Sequence, residues 1–177
     1  MTDWYREDLA YIHDVGHPDF ALESAPGILE VLVRNGIRDG LVIDLGCGSG
    51  LWARELVDTG YRVLGIDISE AMIELSRKRV PEANFRVGSL FGVDIPPCAA
   101  VTAVSEVLNY LFDEENECRG LARLFRRVYD ALAPGGVFVF DVLVPGRCCR
   151  GPRQGGSLRG RIGSCSSRRR RTRSGGR

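Results

Sequence analysis

Short, continuous apolar runs recur along this chain, separated by stretches in which apolar residues return every three or four positions. LVIDLG, residues 41–46, is a run of this first kind that meets a glycine, the pattern of a strand buried on both faces. SGLWARELVDTG then has helical spacing and closes at Gly60. The alternation repeats: YRVLGID (61–67) predicts a strand, and SEAMIELSRKRV (69–80) a helix opened by Ser69 and ended by Pro81. NFRVGS (84–89) predicts a third strand, and a fourth is expected at about 99–105. In ENECRGLARLFRRVYDAL, the residues Leu121, Leu124, Phe125, Val128 and Leu132 repeat at helical spacing and predict one buried stripe. LAPGG stops that helix, and VFVFDVLV predicts a fifth strand. Ahead of all this, residues 4–15 predict a short helix with Trp4, Leu9 and Ile12 as anchors. After the turn-like GHPD, Ser24 and Pro26 are expected to open a second helix that ends at Gly36.

Strands and helices in strict alternation, with strands that are apolar throughout, imply an α/β fold: a mostly parallel sheet covered by helices on both faces. The chain divides accordingly into an N-terminal helical segment (1–39), an α/β core (40–145) and a tail (146–177) of different composition.

Charge sharpens that last boundary. The chain of 177 residues has a net charge of +1, but it sums two unlike parts. Residues 146–177 hold eleven Arg, no Lys and no acidic residue, which leaves 13 basic and 23 acidic residues in 1–145, a net of −10. The acidic body gives no reason to expect a nucleic-acid partner; only the tail, with RRRRTR at 168–173, offers one. Of the 32 tail residues, 27 are Arg, Gly, Ser or Cys, so no periodic apolar face forms and disorder is the expectation.

The opening MTDWYREDLAYIHD lacks an apolar core and is not a secretory signal, and no apolar run approaches the ~20 residues that span a bilayer. Six cysteines without metal-ligand spacing, beside two histidines, argue against a zinc site and for a reduced, cytoplasmic chain.

The segment with most chemical content is VIDLGCGSG, residues 42–50. A buried strand ends in a glycine turn that opens a helix; Gly46 and Gly48 allow a ligand to approach the backbone, and Gly50 allows close helix–strand packing. A dinucleotide site has GxGxxG, and here Leu51 stands where its third glycine belongs. Asp44, an acid inside the apolar strand, needs a polar partner: either turn amides or a ligand. Asp67, at the end of the second strand, is placed to accept both hydroxyls of a ribose, or to complement the dipole of the helix behind Ser69.

DLGCGSG, then GIDIS, then RVGSL, then LAPGG resemble, in order and spacing, the successive motifs of class I S-adenosylmethionine-dependent methyltransferases. The resemblance implies a Rossmann-like, three-layer α/β/α fold with S-adenosyl-L-methionine as cofactor. It implies that Gly46, Cys47 and Gly48 pass under the methionine and ribose, with Asp44 counted among the cofactor-binding positions. Asp67 would hold the ribose and Ile68 would lie beside the adenine. Gly88, Ser89 and Leu90 would flank the adenine edge, with Ser89 where family members often have Asp. Ser105 and Glu106 would face the methionine and the transferred methyl. Tyr11 would reach the cofactor if the N-terminal segment folds over it as a lid.

Glu106, Asn109, Tyr110, Tyr11 and His13 are the polar candidates near the acceptor, and none stands out as a base. The expected acceptor is a small molecule, with no membrane partner. A non-catalytic cofactor-fold domain with a nucleic-acid-binding tail is the alternative.

Family members continue after strand five with a helix and two more strands, and nothing after Val144 resembles these. Read one base out of register, permitted codons for 159–175 can spell REDWQLLVEAEEDPERR, a more strand-like continuation. The sequence is thus identified as a C-terminally truncated or frameshifted member, lacking the last two strands. Strand five is then an exposed edge, with impaired stability and turnover as the expected result.

Overall fold

The computed structural model describes residues 19–110, 113, 116–143 and 163–166. The expected first helix (4–15), Tyr11 and His13 lie outside the described residues.

The elements follow in the order α1 (Asp19–Arg34), β1 (Leu41–Leu45), α2 (Leu51–Asp58), β2 (Arg62–Asp67), α3 (Glu70–Arg79), β3 (Asn84–Val87), β4 (Cys98–Ala103), a 3₁₀ turn (Val107–Asn109), α4 (Cys118–Ala131), β5 (Leu132–Phe140) and β6 (Gly163–Ser166). They build one six-stranded sheet in the order β3-β2-β1-β4-β5-β6. The first five strands run parallel, and β6 is antiparallel to β5.

Alternate residues of each buried strand feed opposite faces. Val42, Val63, Ala100, Val137 and Val139 point to the side covered by α1, α2 and α3, where Ile28, Leu32, Trp52, Leu56 and Ile73 meet them. Ile43, Leu45, Leu64, Ile66, Val101 and Phe138 face the other side, against Leu90, Phe91 and Ile95 and the Leu124 and Val128 stripe of α4. This two-faced burial explains why the strands read as continuous apolar runs.

Local signals set most boundaries. The Ser69 hydroxyl accepts the Met72 amide at 3.3 Å and caps α3. α1 and α2 each close with the paired bonds of a Schellman motif, Ile37 N–H to Leu32 O with Gly36 N–H to Val33 O, and Tyr61 N–H to Leu56 O with Gly60 N–H to Val57 O.

Four expectations are corrected. Pro26 does not open α1 but lies inside it, at an exposed position where the carbonyl it leaves unpaired can meet water. The α4 stripe consists of Gly120, Leu124, Val128 and Ala131, whereas Phe125 is 38 % exposed and packs its ring edge against Phe138 and Phe140. β5 begins at Leu132, because Leu132 pairs with Cys98 before an irregularity restores register at Ala100–Val137, and it ends at Phe140 rather than Val144. Finally, Gly163–Ser166 within the tail form a strand, so β5 is paired on both sides over Val137–Phe140. Backbone pairing asks for no apolar periodicity, which is why composition alone missed it.

Candidate functional site

A cleft of about 690 Å³, counting the space open to solvent, lies at the C-terminal ends of β1, β2 and β4. Strand order reverses between β1 and β4, so this is the crevice where open α/β sheets take ligands.

The glycine turn forms its floor. Gly46 has φ +73 and Gly48 φ +51, both in the left-handed region. A Cβ on Gly46 would collide with the Val107 side chain, whereas beside Gly48 nothing lies within 4 Å. The turn is tied to β2 from both directions. Gly46 and Cys47 amides donate to Ile66 O at 2.7 and 3.0 Å, and Gly48 N–H donates to Asp67 Oδ2 at 2.9 Å. Asp67 Oδ1 accepts the Ser69 amide at 2.9 Å. Each carboxylate oxygen of Asp67 is therefore oriented by a backbone donor at the cleft wall. From α3, the Arg79 guanidinium donates to Ser49 O and Oγ at 2.5 and 2.6 Å and braces the far side of the turn.

Beneath the turn is a buried polar chain. The Trp52 indole donates to Thr102 Oγ1 at 3.1 Å, and the Thr102 hydroxyl donates to Asp44 Oδ1 at 2.8 Å. Asp44 is 3 % exposed. Burial pushes its pKa from 3.8 up to about 7, against the opposing effect of the Thr102 hydrogen bond, with a smaller upward push from the Asp67 charge. Cys47 is buried as well, and its thiol is pushed well above its ordinary value by burial and then by Asp44 and Asp67. It packs inward, near the backbone of Gly65.

The remaining walls come from two loops. After β3, Gly88, Leu90 and Phe91 line the cleft, and the Ser89 hydroxyl donates to Asp113 Oδ2 at 2.6 Å while accepting the Phe91 amide at 3.1 Å. Arg127 of α4 holds this loop from behind through Leu90 O and Val93 O at 2.8 and 2.7 Å. After β4, Val104, Ser105, Val107 and Tyr110 line the cleft. Ser105 (φ 69) and Glu106 (φ 60) are consecutive residues with side chains in the left-handed region, a conformation costing on the order of 1–2 kcal/mol per residue.

Of the residues singled out in the sequence, Gly46, Gly48, Asp67, Ile68, Gly88, Leu90, Ser105 and Tyr110 meet at this cleft. Ile68 is 45 % exposed, an apolar surface at the rim. Asp44 and Cys47 lie below the floor, Ser89 acts within its own loop, and Glu106 is half-buried beside Ser105 without lining the cleft. Asn109 turns away to hold the backbone of Leu143. Met72, Phe91, Val107 and Asp113 line the cleft too and were not singled out in the sequence, since three are apolar and Asp113 is a lone acid outside any motif. Among the described residues no cluster of His, Cys, Asp and Glu is arranged to hold a metal ion.

A family model described as a methyltransferase domain matches residues 42–136, more than half of the chain. A probable S-adenosylmethionine-dependent methyltransferase of Mycolicibacterium smegmatis is 31 % identical over 78 % of this chain and 59 % of its own length. The dTDP-4-amino-2,3,4,6-tetradeoxy-D-glucose N,N-dimethyltransferase of Saccharopolyspora spinosa is 29 % identical over 77 % of this chain and 55 % of its own length. The chain thus spans little more than half of these relatives. Among solved structures, the sugar N-methyltransferase KedS8 from a Streptoalloteichus species superposes with a TM-score of 0.67 at 23 % identity, covering 83 % of this chain and 57 % of that one. At that identity the likeness is one of fold.

Proposed function

Because this chain belongs to the class I S-adenosylmethionine-dependent methyltransferase family, we propose that it transfers a methyl group from S-adenosyl-L-methionine to a small-molecule acceptor. The observation that carries this reading is the junction of Gly48 and Asp67: an open backbone cradle directly bonded to a carboxylate at the cleft wall. A long, polar-ended ligand fits there, since a side chain on Gly48 would occupy the space that the cradle leaves free.

In this reading Gly46, Cys47 and Gly48 pass under the methionine and ribose, and Asp44 ties the end of β1 to β4 beneath the turn through Thr102. The Asp67 oxygens, already oriented by two amides, accept the ribose hydroxyls. Ile68 covers one adenine face while Gly88 and Leu90 flank the ring edge, their loop held by Ser89 through Asp113 and the Phe91 amide. Ser105 borders the methionine end, with Glu106 beside it. When bound, the cofactor supplies an activated methyl on a sulfonium. The residues of the chain then need only hold the acceptor in line and keep water out, which the apolar Val104, Val107, Phe91 and Met72 favour. We assign no catalytic base.

The Saccharopolyspora relative is named for an amino-sugar substrate, so amino sugars are the first acceptor class to try. Among the described residues, Cys47, Cys98 and Cys118 are free thiols. No helix among the described residues is long and apolar enough to cross a membrane.

Calorimetry with S-adenosylhomocysteine tests the reading. Saturable binding by the full chain, weakened at least tenfold by Asp67→Ala, is expected. No binding by a folded wild-type chain would overturn it. Methyl transfer to an amino-sugar nucleotide, compared with transfer to ribosomal RNA, tests the acceptor class.

A further inference from the structure

Two adjacent residues with side chains do not hold left-handed backbone unaided, and the turn after β4 has two such residues at the cleft. Their support comes from a residue that does not line the cleft. The Glu106 amide donates to Asp141 Oδ1 at 3.0 Å, and the Ser105 amide lies near enough to the same carboxylate to favour its charged form. Burial raises the Asp141 pKa, and the amides of Glu106, of Asp141 itself and of Ser105 oppose that rise, as expected of a carboxylate used as an anion acceptor.

The Asp141 backbone also donates to Ala103 O at 3.3 Å, so this residue extends the β4–β5 pairing to the foot of the turn. Asn109 completes the connection: Leu143 N–H donates to its Oδ1 at 2.9 Å, and its Nδ2 donates to Leu143 O at 3.3 Å. Beyond the left-handed pair, Val107 fills the space against Gly46.

We infer that Asp141 is a positioning residue: by holding the Glu106 amide it fixes the turn that seats Val107 on Gly46 and shapes the methionine side of the cleft. The inference about ligand binding rests on the function proposed above; the inference about the turn does not.

The full chain is compared with Asp141→Ala, Asp141→Asn and Glu106→Gly, and with the Asp141→Ala/Glu106→Gly double variant. Amide hydrogen exchange over 100–110 should quicken at least tenfold in Asp141→Ala while 41–67 is unchanged. Asp141→Asn, which keeps an acceptor oxygen for the Glu106 amide but loses the charge, should fall between. S-adenosylhomocysteine affinity should drop about tenfold in Asp141→Ala and by a smaller factor when Glu106 is already glycine, because glycine adopts the left-handed state without support.

Wild-type exchange at 105–106 in either Asp141 variant overturns the proposal, as does an affinity loss that Glu106→Gly leaves unchanged. If the wild-type chain does not bind S-adenosylhomocysteine, the proposed function fails and the exchange comparison alone decides the role of Asp141. If Asp141→Ala does not fold, Asp141→Asn carries the same two readouts.

Discussion

Asp44 shows how one buried side chain ties the site to stability. Its carboxyl is neutral more readily in the fold than in the unfolded chain, with a pKa raised from 3.8 to about 7. The folded state therefore binds more protons between these values, and stability falls as pH rises through that window, reaching its floor above about 7. Asp44→Asn keeps an acceptor for Thr102 and removes the charge. Its stability advantage over wild type should grow from pH 4 to 7 and then level off, as measured by urea melts across pH. Gly46 gives a second test at this scale. Gly46→Ala forces a methyl into Val107 and a side chain into φ +73, so a loss of about 1–3 kcal/mol by thermal melting is expected, with weakened S-adenosylhomocysteine binding.

At the scale of elements, α1 retains an avoidable defect. Pro26 sits inside the helix at an exposed site, where it donates no hydrogen bond. Pro26→Ala should stabilise the chain by up to about 3 kcal/mol, checked by chemical denaturation. Ser24 and Pro26 form a good opening signal, yet the helix runs upstream of them to Asp19, through an exposed Leu22, so the local signal alone did not set its start. The strands were legible because two-faced burial makes each a continuous apolar run, and Ser69, Gly36 and Gly60 mark helix ends by local chemistry. Gly46, Gly48 and Asp67 were legible for the same reason, being short-range features of two strand ends. Val107 and Asp141 were not. Their partners lie 61 and 35 residues away, and neither residue type nor spacing encodes such a meeting.

Across the whole molecule, a body of net −10 is joined to a tail of +11. Their sum of +1 and a pI near 7.6 leave little mutual repulsion at neutral pH. The ladder of β5 is closed on its outer side by Gly163–Ser166. Removing residues 163–177 should uncover the main-chain groups of Val137–Phe140, and sedimentation velocity should show concentration-dependent association absent from the full chain. The contacts just past β5 also bear on protein engineering. A designer trimming the chain to its regular sheet would stop at Phe140, where the β5 ladder ends. That cut would discard Asp141 and Leu143, whose partners Glu106 and Asn109 belong to the loop after β4. A fragment, fusion or split-protein reporter intended to keep a working cleft must therefore run at least through Leu143.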